Sequence, residues 1–139
     1  TMSYRAVDEF EYIYIFWKPG ITKVDKARLT QDEWTAWGSR GVWYIPSVRV
    51  NDDHEAKFPL ELPRRIIQML TEPNDIVLDC FVGSGTSATA ALREKRRFIG
   101  VDNSPASVGL ASNALRLAIE ECKQSKLRLF NPIQILKAS

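Results

Sequence analysis

The stretch 75–86, Asp-Ile-Val-Leu-Asp-Cys-Phe-Val-Gly-Ser-Gly-Thr, constrains this chain more than any other. Ile76, Val77 and Leu78 form the short apolar run expected of a buried strand. The run ends at Asp79 and passes into a turn of small residues with glycines at 83 and 85. An alanine-rich segment follows and predicts a helix over 87–95. Strand, glycine turn and helix in that order make a ligand site. Glycine lets a backbone approach a ligand closely, and the first N–H groups of a helix have no partner within it.

Which ligand fits is a question of charge. Gly83, Gly85 and Ala88 satisfy the loose dinucleotide pattern G-x-G-x-x-G/A. That pattern favours a nicotinamide or flavin cofactor, and Asp79 opposes it. A carboxylate at the strand end would face a pyrophosphate, and like charges repel in a partly dry cleft. A ligand with an ammonium and a sulfonium would be attracted instead. S-adenosylmethionine carries both, with a carboxylate for the helix N-terminus and a ribose. A second apolar run, 97–101, ends at Asp102. An acid about 20 residues past the glycines is placed to accept from ribose hydroxyls. Asp79 also suits a turn, and Asp102 a helix cap, and these roles can coexist with ligand binding.

Asp79-Cys-Phe-Val-Gly-Ser-Gly-Thr86, followed by Arg97-Phe-Ile-Gly-Val-Asp102, resembles the cofactor motif of the amino-group DNA methyltransferases. These enzymes methylate N6 of adenine or N4 of cytosine. His54-Glu-Ala-Lys-Phe-Pro59 and Leu62-Pro-Arg-Arg-Ile-Ile67 resemble the segment that precedes the glycine motif in the permuted class of that family. The resemblance runs from Phe10 to Ala114, most of the chain. It implies an α/β, Rossmann-like methyltransferase fold with a partial doubly wound sheet. It also implies S-adenosylmethionine as cofactor and double-stranded DNA as partner, in a restriction-modification setting. Asp79, Phe81, Gly83, Ser84, Gly85 and Thr86 would hold the methionine end and Asp102 the ribose. Lys57 and Phe58 would line the cleft. Glu55 stands where related enzymes often carry proline.

A chain of 139 residues fits one domain. Within it, 18–50 reads as a short target-recognition-like insertion and 51–130 as the cofactor-binding part. The net charge of +2 gives no strong basic field, although a local patch suffices for DNA. Cys80 and Cys122 lack metal-ligand spacing, and no metal site is expected; reduced thiols point to a cytoplasmic protein. No apolar run is long enough to span a membrane.

The run 10–17, Phe-Glu-Tyr-Ile-Tyr-Ile-Phe-Trp, predicts a strand ended by Lys18-Pro-Gly. Thr30-Gln-Asp-Glu33 is a capping box that opens a short helix through Trp34 and Trp37, with Gly38 as its stop. The segment 41–46 reads as a short strand or an extended stretch. Basic residues are spread among tryptophans here, as a nucleic-acid surface requires. Lys23, Arg28, Arg40 and Trp43 are the candidate DNA contacts, while Trp34 and Trp37 are expected to plug a satellite core. Helices are predicted over 60–70 and 105–123. Leu62, Ile66, Met69 and Leu70 share one face of the first. Val108, Ala111, Leu115, Ala118 and Cys122 form the core stripe of the second. A third strand is placed at 127–130, and the tail 132–139 offers no pattern.

Methylating an exocyclic amine requires acceptors for its hydrogens and an aromatic residue to hold the flipped base. The resembling family supplies these with Asp, Asn or Ser, then Pro-Pro, then an aromatic. No Pro-Pro pair occurs in this sequence, so no catalytic residue is assigned. In the permuted order that motif precedes the target-recognition region, which places it upstream of this chain. The chain therefore looks like a C-terminal half, either a fragment, a split subunit or a decayed remnant. It is expected to pair with a missing N-terminal catalytic half or to self-associate. The alternatives are an oxidoreductase and a non-catalytic DNA-binding remnant.

Overall fold

The computed structural model describes residues 10–16, 18–20, 25–46, 59–124 and 134–137. Its centre is a parallel three-stranded sheet in the order β1 (Ile76–Asp79), β2 (Arg97–Asp102), β3 (Gln134–Lys137). Val77 lies opposite Phe98, and Gly100 opposite Ile135. Parallel neighbours need a crossover, and helices supply it. α3 (Thr86–Arg93) links β1 to β2, and α4 (Pro105–Gln124) follows β2. α2 (Glu61–Leu70) enters from the N-terminal side and packs on α3.

One face of the sheet carries the core. Phe98 is the largest fully buried side chain and packs with Ile67, Val82, Leu92 and Leu115. Burying such a phenylalanine contributes about 1.5–3 kcal/mol. Ala88, Ala90, Ala91, Ala111 and Ala118 fill the rest of this cluster. Their small side chains let α3 and α4 approach each other closely. The predicted α4 stripe is buried at Ala111, Leu115, Ala118 and Cys122, with Val108 half-buried. On α2 the buried residues are Pro63, Ile67 and Met69, while Leu62 and Ile66 are only half-buried. The reason is that α2 is packed on two sides. Ile67 faces the main core and Met69 a second cluster, so no single stripe describes it.

The other face of β1 is open. Ile76 and Leu78 are 51% and 59% exposed, and among the described residues β1 pairs only with β2. Parallel strands are ordinarily covered on both faces.

One strand expectation changes, and one strand forms where no pattern was read. Residues 10–16 join no ladder, and their large side chains are exposed. Their rings still line up at every second residue, with Phe10 against Tyr12 at 5.2 Å, Tyr12 against Tyr14 at 6.0 Å and Tyr14 against Phe16 at 6.4 Å. This is strand-like alternation without a sheet partner among the described residues. At the other end, the strand placed at 127–130 lies outside the described residues. The third strand of the described sheet is Gln134–Lys137, from the tail that offered no pattern. Two apolar residues between polar ones give little periodic signal, so backbone pairing with β2 decides the matter.

A small module sits on α2. Thr30 caps α1 (Gln31–Glu33) in a full capping box, and the chain continues through a wider helical turn, Trp34–Gly38. Trp37 is buried with Leu29 and Met69, and Trp34 and Trp43 pack around them. Gly38 ends this turn, as expected of a stop, without a left-handed backbone. A Cβ there would lie 2.5 Å from Leu29 Cδ1 and 3.0 Å from Trp34 Cε3, so a larger residue would push on the packed Leu29 and Trp34 side chains. The segment 41–46 is not part of a sheet.

Candidate functional site

The glycine turn lies between β1 and α3, at the carboxyl end of the sheet, the usual place for ligands in such folds. Its conformation is held from both strand ends. Asp79 Oδ1 accepts the Phe81 N–H at 2.9 Å, and its Oδ2 accepts the Ser87 hydroxyl. Asp102 Oδ2 accepts the Gly83 N–H at 3.0 Å, and its Oδ1 accepts the Ser104 N–H at 2.9 Å. Val82 N–H donates to Val101 O at 3.0 Å and ties the turn to β2. The two acids therefore organise the loop, Asp79 in the turn role expected of it and Asp102 by tying the turn to the start of α4. An ionised carboxylate has about four lone-pair sites, more than the two donors that Asp79 receives here. Ser104 Oγ, rather than Asp102, accepts from Ser107 N–H and caps α4.

Gly85 is the residue at the cap of α3. Its φ of +88° is left-handed, and an added Cβ would lie 2.8 Å from Ala111 Cα. Conformation and space both demand glycine. No side chain caps α3 from this position, which leaves the helix N-terminus to a ligand or water. Ser84 and Thr86 are half-buried, while Phe81 is 87% exposed beside the loop. Lys57 and Phe58 lie outside the described residues. Ser87 is a site residue that sequence reasoning misses. Its hydroxyl is one of three in the turn Thr86-Ser87-Ala88-Thr89, so nothing in the sequence singles it out.

The candidate DNA contacts separate into two groups. Arg28 is turned inward: its side chain is 8% exposed, its Nε donates to Glu72 and its Nη1 to Met69 O at 2.9 Å. Trp43 donates from its indole N–H to Trp37 O at 2.9 Å and meets the Trp37 ring edge-on at 5.8 Å. Arg65 lies over both rings, at 5.2 Å from Trp37 and 5.5 Å from Trp43. Both residues thus fasten the module to α2. Arg40 is exposed and donates to Thr35 O. Lys23 lies outside the described residues.

An ionic network reinforces this junction. Glu61 accepts from Arg64 and Arg65, at 2.8 and 2.7 Å. The Arg64 hydrogen bond, then the Arg65 one, lowers the Glu61 carboxyl from 4.5 to about 2 against the opposing effect of burial. Glu33 is also lowered, first by the Thr30 backbone N–H. Glu94 is raised, because its burial outweighs the attraction of Arg64 4.0 Å away. Arg96 is buried and lowered by desolvation; it donates to Thr71 Oγ1, Thr71 O and Glu94 O.

Among the described residues no cluster of His, Cys, Asp or Glu could hold a metal, and no helix is long and apolar enough to cross a membrane.

A parallel β–α–β unit with an acid at each strand end and a glycine turn at an uncapped helix defines a Rossmann-like cofactor domain. Comparison with known proteins narrows that class. The DNA methylase family model (N6/N4 type) matches residues 2–113. The chain belongs to this DNA methylase family. It is 61% identical over 110 residues to the type II methyltransferase M.BglI of Bacillus subtilis, covering 79% of this chain and 32% of the relative. It is 33% identical to M.XycI of Xanthomonas campestris pv. cyanopsidis, covering 81% of this chain and 38% of that one. A DNA modification methylase of Thermus thermophilus, solved in complex with S-adenosyl-L-methionine, superposes with a TM-score of 0.59 at 30% identity. The match covers 82% of this chain and 40% of that one. The chain thus spans about a third of the length of these curated relatives.

Proposed function

We propose that this chain is the S-adenosylmethionine-binding part of a DNA methyltransferase that methylates the exocyclic amine of cytosine (N4) or adenine (N6). The observation that carries the reading is the pair of acids, Asp79 and Asp102, holding the Gly83–Thr86 turn from the ends of two adjacent parallel strands. The donor set suits this cofactor. Asp79 would take the ammonium end, the open N-terminus of α3 the carboxylate and Asp102 a ribose hydroxyl. When bound, S-adenosylmethionine supplies an electrophilic methyl group on a sulfonium. The chain's own residues would bind and orient it; Phe81 would shield one side of the cleft and Lys57 and Phe58 would line another.

The residues that orient the acceptor amine would come from elsewhere, since the chain has no Pro-Pro pair. We read the chain as acting with an N-terminal catalytic half that supplies them, or as self-associating. The exposed Ile76, Leu78 and Phe10–Phe16 side chains support this, because such apolar area favours burial. Double-stranded DNA would meet the 18–50 region through exposed basic residues such as Arg40, together with Lys23. Arg28 and Trp43 would serve by holding the module in place.

The test is a calorimetric titration of the chain with S-adenosylmethionine, with NAD as the competing ligand and Asp79→Ala as the control. The expected result is S-adenosylmethionine binding that the substitution abolishes. Preferential binding of NAD, or cofactor binding indifferent to Asp79, would overturn the reading.

A further inference from the structure

Several hydroxyls on helices in this molecule bond locally. Thr71 Oγ1 donates to Ile67 O, Ser112 Oγ to Val108 O and Thr35 Oγ1 to Gln31 O, each four residues back. Ser87, on the first turn of α3, does otherwise. Its hydroxyl reaches out of the helix to Asp79 Oδ2 at the end of β1. Ser87 is 8% exposed and, with Arg96, is one of two buried polar residues among those described. A buried hydroxyl costs free energy unless it is bonded, and a bond to a carboxylate is among the stronger ones.

Packing alone does not call for serine here. The neighbours Ala88, Ala90 and Ala91 form a close-packed alanine layer on the same helix. The hydroxyl matters for what it does to Asp79. That carboxylate receives one donor from the turn, the Phe81 N–H, and one from the helix. Two donors from two elements fix its rotamer, so no side-chain freedom is lost when a cation arrives.

We propose that Ser87 is a positioning residue that locks the Asp79 carboxylate for the cationic end of the cofactor. The role rests on the cofactor reading above, but the locking itself can be observed without ligand.

Two measurements on the 139-residue chain test it. The first is the Asp79 χ1 distribution from NMR scalar couplings, without cofactor. Wild type should show a single rotamer and Ser87→Ala an averaged one, with the helical signal and a cooperative unfolding transition retained in both. The second is S-adenosylmethionine affinity in a double-mutant cycle of Ser87→Ala and Asp79→Asn. Ser87→Ala should weaken binding by about two- to tenfold, the cost of ordering the Asp79 side chain when the cation arrives. In the Asp79→Asn background it should add little. An unchanged Asp79 rotamer in Ser87→Ala, or losses that add fully in the cycle, would overturn the proposal. A locked rotamer in a wild-type chain indifferent to S-adenosylmethionine would leave the positioning intact and sink the cofactor reading instead.

Discussion

The carboxylate of Asp102, at the end of β2, accepts the backbone N–H of Gly83 at 3.0 Å, across 19 residues of chain. This bond joins the glycine turn to the neighbouring strand before any ligand arrives. Its partner oxygen holds Ser104 N–H at the start of α4. Asp102→Ala should therefore cost about 1–3 kcal/mol of stability, by leaving two backbone donors without their acceptor. Urea denaturation checks the stability, and calorimetry should find cofactor affinity reduced in parallel.

Gly85→Ala should be more damaging. The left-handed backbone costs a non-glycine residue about 1–2 kcal/mol. The new Cβ would also press on Ala111, adding about 1–3 kcal/mol for crowding. Ala111→Gly should rescue little, because the nearest atom is Ala111 Cα at 2.8 Å rather than Cβ at 3.1 Å. Thermal unfolding of the single and double variants decides this.

Arg28→Ala should destabilise the chain by about 1.5–3 kcal/mol, the range for hydrogen bonds to charged groups. Arg28→Lys should not restore it. Lysine cannot present the guanidinium fork that reaches Glu72 and Met69 O together. If Arg28 chiefly contacted DNA, stability would be unaffected and lysine would substitute well.

Acid pH should act on α2 in two opposite senses. The folded Glu61 carboxyl is lowered from 4.5 to about 2. Its contribution to stability is complete above 4.5 and is lost as pH falls from there towards 2. Solvent screening reduces its size, since the Glu61 side chain is 36% exposed. Glu94 is raised above 4.5 by burial. The folded state therefore binds its proton more readily than the unfolded one, and Glu94 opposes stability as pH rises past 4.5. Glu61→Gln should thus lose stability most near neutral pH. Glu94→Gln should gain relative to wild type as pH rises above 4.5. Urea midpoints measured from about pH 3 to about pH 7 separate the two.

The open face of β1 should drive association. Sedimentation velocity should find wild type in assemblies larger than a monomer, and Ile76→Lys with Leu78→Lys should return it towards the monomer with its helical signal retained. A wild-type chain that remains monomeric at high concentration would contradict this.

Local sequence determined a good deal. The apolar runs of β1 and β2, the glycine turn, the α4 stripe and the Thr30 capping box all follow from period and residue chemistry over a few positions. The tertiary structure decided what those patterns leave open. Arginine and tryptophan are amphipathic, so Arg28 and Trp43 could face DNA or the interior; their fit against Glu72, Met69 and Trp37 turned them inward. The apolar stretch 10–16 has strand chemistry, but a strand exists only where a partner offers its backbone. Gln134–Lys137 carries little pattern and pairs with β2 nonetheless. Ser87 resembles any small helical residue until Asp79 is seen beside it. Periodicity is a property of neighbours in sequence, whereas a hydrogen-bond partner is a property of neighbours in space, and only the fold supplies those.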